Sequence, residues 1–477
     1  MLRLPSFGTL IVSLAVAATS GGMVPPAPAV PREFDPPKTP IDPRIDPSKI
    51  TEQSVPQLAQ VVAQPLRVMT RISTDAAKVP MSRERFDDAQ RALERGLAYL
   101  RTSQRPNGAW MERDLVQPTD QPRAANAALA VTAMGAKAFL QAHPDDETAR
   151  RALTFVIQGV RDQGYEAIAG SGIGTYVVSA VLSALAISED RTYHDEMRAA
   201  VEWLKTTQWD QSEGLRPAQD WFGGAGYGRN KRPDLSNTQL MLDALHDAGI
   251  SPDDPTVQKA LAFVSRAQNL PATNEAAWAR SSTASGDGGF IYTPANGGES
   301  FASDLAGEGR TGELMPEGHR SLRSYGSMTY AGFKSLLYAG LTRDDERVKA
   351  AFDWVCRHYT FDENPGLGQQ GLYYYYHAMA RALVAAQQAT IPPAPPASPA
   401  PPAPTNAKDT TTTTATATAV VVRNWRDDLV AAIVARQRDD GSWINAVERW
   451  EESQPDLATI YALLALEEAL KPVLETD

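Results

Sequence analysis

A guanidinium, a carboxylate and an amide crowd together at Arg232, Asp234 and Asn237, just after a glycine-rich turn, GGAGYG, that contains Tyr227. Pro233 restricts Arg232 to extended backbone, and Asp234 or Ser236 accepts hydrogen bonds from the unpaired donors at the start of the following helix. Asp234 and Asn237 therefore either contact a ligand or serve as caps. Two aromatic runs have a similar pair of readings. YYYYH (Tyr373 to His377) and SYGSMTY (Ser324 to Tyr330) either line a cavity, stacking on a sugar or stabilising a carbocation, or fill the centre of the fold. Tyr325, Tyr374 and His377 are the candidates in these runs, and His377 also reads as a hydrogen-bonded core histidine. GAGYG follows no predicted strand, so a dinucleotide-binding reading fails. DDER and SPDDPT precede amphipathic helices, where their carboxylates suit N-terminal capping rather than metal binding.

The helix after Asp234 places Met241, Ala244, Leu245 and Ala248 at helical spacing, with Leu240 and Leu242 between them. It is apolar most of the way round and is predicted to be buried. A polar turn thus delivers the N-terminus of an inner helix, and the same unit recurs six times from about Arg85. The outer partner is amphipathic, as in Arg85 to Ser103, and the inner partner is built of small apolar residues, as in Ala124 to Leu140 or Thr175 to Ile187. The remaining pairs run from Tyr193, Thr256, Glu346 and Trp425. Such pairs predict an all-α fold in two concentric layers, an α/α toroid or else an open solenoid. A detached final pair favours closure. In a closed ring the turns before the inner helices gather at one mouth, with Asp120, Arg123, Tyr176, Tyr227, Arg232, Asp234, Asn237, Tyr325, Tyr374, His377 and Trp450. The helix N-termini there suit an anionic or oxygen-rich ligand.

The rest of the chain sets limits. Residues 1–22 read as an export signal, with Arg3, the apolar run Leu10 to Ala18 and Ala15-Val16-Ala17 as a cleavage site; the alternative is an uncleaved membrane tether. Residues 23–84 form a proline-rich arm, with a short docking helix as an option over Val55 to Ile72. Residues 391–422 are a low-complexity Pro/Thr/Ala insert, read as a loop because a lone helix pair buries too little to fold by itself. That leaves 85–390 and 423–472 as one toroid domain. The formal net charge of −11 disfavours a nucleic-acid or anionic-membrane partner. Cys356 is the only cysteine, so no intrachain disulfide forms.

QRDDGSW (Gln437 to Trp443) resembles the QW-type repeat of squalene and hopene cyclases, with weaker copies at SQRPNGAW and ASGDGGF. The pairing of outer helix, turn and inner helix is similar to the prenyltransferase and squalene oxidase repeat. The resemblance implies the terpenoid cyclase/protein prenyltransferase toroid. In that family, class II cyclases protonate substrate from an Asp-x-Asp-Asp-Thr-Ala motif before an inner helix. The nearest match here is DLSNTQ, with Ser236 at the proton-donor position and Asn237 beside it; a serine hydroxyl is far too weak an acid. Protein prenyltransferases use zinc held by Asp, Cys and His. This chain offers Asp353, Cys356, His358 and His377, but His358 points away from Cys356 on a helix, and Cys356 reads as a buried structural thiol.

The resulting expectation is an exported toroid that binds a ligand in its central cavity or at its mouth, without metal or cofactor. An isoprenoid or other apolar molecule is the partner that the resemblance implies. The alternative is a noncatalytic scaffold for a cell-envelope protein or glycan. Candidate ligand contacts are Tyr227, Arg232, Asp234, Asn237, Tyr325, Tyr374, His377 and Trp450.

Overall fold

The computed structural model describes residues 71–111, 121–281, 284–314, 320–393, 395 and 422–472. The export signal and most of the arm lie outside these residues, as do Asp120 and the side chain of Arg123.

Among the described residues twelve main helices form six pairs. The outer helices are α1 (Arg83–Ser103), α3 (Glu147–Gly170), α5 (His194–Thr207), α7 (Pro255–Arg266), α11 (Glu346–Arg357) and α13 (Trp425–Val434). Their inner partners, in the same order, are α2 (Gln121–Ala142), α4 (Gly174–Ser188), α6 (Leu235–Asp247), α10 (Gly326–Tyr338), α12 (Leu372–Ala385) and α14 (Pro455–Ala469). Short helices α8 (Ala277–Arg280) and α9 (Phe301–Leu305), with the two-residue strands β1 (Glu313–Leu314) and β2 (Arg320–Ser321), belong to a long insert between α7 and α10.

Outer helices bury one stripe, as Phe86, Leu93, Leu97 and Leu100 do on α1. Most begin on an acidic or amide cap. Asp146, Asp254, Asp345 and Asn424 accept from the first-turn amides of α3, α7, α11 and α13. The inner helices are buried nearly all round; on α4 this includes Val177, Val178, Val181, Leu182, Leu185 and Ile187. Each inner helix packs on the next, and α14 packs on both α12 and α2 while α13 packs on α1. The ring is therefore closed. Backbone bonds seal it: Ser73 N–H donates to Leu470 O at 2.9 Å.

One side-chain device recurs at four of the six turns. Gln104, Gln208, Gln268 and Gln437 end their outer helices, and each Nε2 donates twice. One bond goes to a glycine carbonyl of its own turn, at Gly108, Gly223, Gly288 or Gly441. The other goes to a carbonyl of the neighbouring outer helix: Thr148, Thr256, Arg347 and, across the ring closure, Ala92. The glycines have positive φ, and a Cβ on Gly108 or Gly441 would lie 2.4 Å from a carbonyl of that neighbour. Two residues beyond each glycine, an amide donates to a threonine hydroxyl of the inner helix, as Trp443 N does to Thr459 at 3.0 Å and Trp110 N to Thr132 at 3.0 Å.

Boundaries differ from expectation in places. The inner helix of the fourth pair starts at Gly326, inside the SYGSMTY run, so Tyr325 is its N-cap residue. Helix α3 runs on to Gly170 through a break at Gly164, whose φ of 71° and ψ of 156° interrupt the helix. Residues 391 and 423 pair with each other through Ile391 N to Arg423 O at 2.8 Å and the reverse bond at 3.1 Å, so the chain leaves the ring and rejoins it at one point. No helix among the described residues is long and apolar enough to cross a membrane.

Candidate functional site

All six inner helices converge on one axial well. Its upper wall is apolar, formed by Ala130, Val131, Met134, Ala180, Leu240 and Leu464 among others, with Tyr176, Tyr374 and Tyr461 between them. The free space is about 90 Å³. That is below the roughly 150 Å³ that admits benzene, and far below the roughly 300 Å³ at which ligand pockets usually begin. A folded triterpene is too large for this space.

Its floor is charged, because the last turns of the inner helices bring ionic side chains together. Asp243 accepts from Lys334 (2.6 Å) and Arg381 (3.2 Å), and Asp247 from Lys137 (2.8 Å) and Arg381 (2.5 Å). Glu468 pairs with Lys471 at 2.6 Å and approaches Arg381 at 4.0 Å. Burial opposes ionisation of both aspartates, but the surrounding cations outweigh it and hold both below the usual carboxylate range. Glu467 accepts from Gln141 (2.5 Å), and burial raises its pKa well above the usual carboxylate range. His377 faces the well with Arg381, Lys334 and Lys137 nearby; burial and then those cations push its pKa well down, so its imidazole is neutral. Among the described residues the carboxylate that lines the well is Asp243, which is already paired, whereas Glu467 lies outside the lining.

A polar chain descends the wall to that floor. Tyr227 stacks on Tyr176 with centroids 5.6 Å apart, Tyr176 Oη lies 2.6 Å from Ser236 Oγ, and Ser236 lies 3.5 Å from Tyr374 Oη. Gln239 Nε2 donates to Tyr374 (3.2 Å), and Lys334 donates to Gln239 Oε1 (2.8 Å). Ser236, at the position where the cyclase resemblance puts the proton donor, is thus a hydroxyl shared between two tyrosines.

At the mouth four turns cap the inner helix of the preceding unit. Gly174 N donates to Tyr227 O (2.9 Å), Leu235 N to Tyr292 O (2.8 Å), and Gly326 N to Pro365 O (2.8 Å). Glu452 accepts from Tyr373 N (3.2 Å) and Tyr374 N (2.8 Å) at the start of α12. At these four helices first-turn donors are taken by the protein itself, which corrects, for them, the expectation that the N-termini stand ready for an anion.

Asp234 is buried. Its Oδ1 accepts from Asn237 N (2.8 Å), and its Oδ2 from Asn237 Nδ2 (2.8 Å). Burial pushes its pKa up to about 6, and that of Glu452 up to about 7. Capping is what both carboxylates do, and neither Asp234 nor Asn237 lines the well. Of the other candidates, Tyr374 and His377 line the well, while Tyr227 backs its wall through Tyr176. Arg232 is engaged by Glu299 at the rim. Tyr325 is buried near Phe301, 6.4 Å between centroids. Trp450 covers Gly371, where a Cβ would meet the indole at 2.7 Å. The eight residues thus divide between well and rim. The would-be zinc set does not assemble, because Cys356 is buried on an outer helix, His358 stacks on Trp354 (4.0 Å) and His377 sits in the hub.

The residues the sequence reading overlooked are the floor charges, together with Tyr292, Tyr461 and Glu452. A signal was present: Lys137, Asp243, Lys334, Arg381 and Glu468 are charges inside otherwise apolar inner segments, which buried helices carry only when paired.

No family model matches this sequence, and no curated protein matches it. Among solved structures, the type II terpene cyclase MstE from Scytonema, in a substituted form bound to geranylgeranyl dihydroxybenzoate, aligns over 82% of this chain and 99% of its own at 11% identity, TM-score 0.40. A substituted glycosidase aligns over 82% and 100% at 12% identity, TM-score 0.41. A protein from Actinoplanes aligns over 80% and 99% at 16% identity, TM-score 0.28. Similarity at this level leaves function to the site's own geometry.

Proposed function

We propose that this chain is a binding toroid that takes the end of a slender alkyl or isoprenoid chain into its axial well, and that it does not catalyse cyclisation. The observation that carries this reading is the well itself: apolar walls from six helices, about 90 Å³ of space and a floor whose charges are already paired. Protonating an alkene requires an acid aimed into the cavity, and the one carboxylate that lines it among the described residues, Asp243, is held ionised by Lys334 and Arg381. An exported location is part of the proposal, supported by Arg3 and the apolar run that follows it.

Detergent-free purification followed by solvent extraction and mass spectrometry tests it. The expected result is a single-chain apolar species in the wild type that is depleted in Ala180→Phe, which fills the well. A wild-type extract free of such species, together with no binding of added dodecanol, removes the reading.

A second reading has its own observation. A groove of about 500 Å³ lies between the insert and α11, lined by Ser285, Asp287, Ser321, Arg323, Ser324 and His358. Its lining mixes these polar groups with Leu305, Leu322 and Trp354, which suits a glycan, and retention on immobilised polysaccharide that Asp287→Ala abolishes would favour it over the axial well.

A further inference from the structure

The axial well is not apolar to its full depth, because its lower wall carries hydrogen-bonding groups that the protein itself leaves unused. Ser179 and Ser183 lie one turn apart on α4, His377 on α12 and Tyr461 on α14, and all four line the well. Ser179 Oγ is buried without a hydrogen-bond partner. Among the described residues no hydrogen bond reaches the Ser183 hydroxyl, the His377 imidazole or the Tyr461 hydroxyl either. Serines inside a helix commonly return their hydroxyl to the carbonyl four residues back, as Ser335 does to Ala331 at 2.7 Å on α10. The two serines of α4 do not.

Their neighbours above and below are committed. Toward the mouth, Tyr176 Oη lies 2.6 Å from Ser236 Oγ, and Tyr374 accepts from Gln239 at 3.2 Å. One turn below His377, Arg381 bonds Asp243, which also holds Lys334. Between them, the rings of His377 and Tyr461 are 6.0 Å apart. Unsatisfied polar groups are uncommon in a core, and several around one cavity call for an occupant that bonds them.

The chemistry of that occupant follows from the groups. Each hydroxyl both donates and accepts, and a neutral imidazole has one N–H and one lone-pair nitrogen. His377 is neutral here, since burial and the cations of the floor push its pKa well down. A carboxylate end would find those cations already held by Asp243 and Asp247, and an ammonium end would be repelled by them. An uncharged end that donates and accepts suits all four groups.

We infer that the lower wall of the well is a seat for the terminal hydroxyl of a long-chain alcohol, which enters oxygen first, accepts from Tyr461 or the α4 serines and donates to His377. This rests on the chain-binding function proposed above and narrows it from hydrocarbon ends to alcohol ends.

Equilibrium dialysis with 1-octanol, nonane and octanoate tests the seat. Octanol and nonane differ in a terminal O–H against CH3, so the ratio of their affinities isolates the end group. That ratio is expected to fall about tenfold in Ser179→Ala/Ser183→Ala or in Tyr461→Phe, while nonane binding is retained. Both variants remove only hydroxyls without partners, so neither is expected to lower the melting temperature. Octanoate is expected to bind more weakly than octanol at neutral pH. A ratio that keeps its wild-type value in both variants, or octanoate binding as tight as octanol, overturns the inference and leaves the well as a site for hydrocarbon. If neither octanol nor nonane binds the wild type, the axial-well reading falls and the hydroxyl seat falls with it.

Discussion

Asp234 shows how one carboxylate can look catalytic while its work is structural. It sits where a proton-handling motif would start, is buried, and has a pKa near 6. Yet both of its oxygens are taken by Asn237. Its folded pKa lies above the value of 3.8 that it has when exposed, so the native state binds the proton more tightly than the unfolded chain does. Its contribution to stability is therefore full below about pH 4 and is lost as pH rises to about 6, a change of about 3 kcal/mol. Asp234→Asn should keep the cap, because Asn237 can turn its unpartnered Oδ1 toward the new amide. The stability difference between variant and wild type should then shift by up to about 3 kcal/mol in the variant's favour between pH 4 and pH 7, read by urea denaturation across that range. A pH-independent difference would mean that Asp234 titrates in the native state as it does in the unfolded chain.

The element that makes the ring is the turn, and its glutamine is the part that reaches sideways. Gln437 joins its own turn to α1 through the Ala92 carbonyl, in the seam where the first and last helix pairs meet. Gln437→Met keeps the side chain's length but strands two carbonyls, so we expect a loss of about 2 kcal/mol in chemical denaturation. Gly441→Ala should cost at least as much, since it adds a Cβ 2.4 Å from Arg95 O at a positive φ. Two copies of the device were legible as QRPNGAW and QRDDGSW because glutamine and glycine lie four residues apart there. In the other two, insertions part Gln208 from Gly223 and Gln268 from Gly288, so the same hydrogen bonds have no short sequence signature.

At the scale of the molecule, closure depends on α13 and α14, which return after the low-complexity insert to cover α1, α2 and α12. A chain ending at residue 393 would expose the buried faces of those three helices and is expected to aggregate, as judged by solubility and size-exclusion chromatography. Replacing residues 396–420 by a short Gly/Ser linker should leave the melting temperature within about 3 °C, because Ile391 and Arg423 already hold the ends together. Unfolding of the linker variant would instead assign the insert a structural role.

The sequence by itself determined the two layers, since the contrast between one apolar stripe and an apolar circumference is a local property of each helix. It also determined the caps and the number of units. Only the tertiary structure decided what stands in the middle. Whether Lys334 meets Asp243, whether Glu452 or a ligand satisfies the amides of α12, and whether His377 stands beside Tyr461 all depend on which turns and helix ends the closed ring brings face to face. Those partners lie tens to hundreds of residues apart, and their pairing is set by the radius of the ring, which no local pattern of residues encodes.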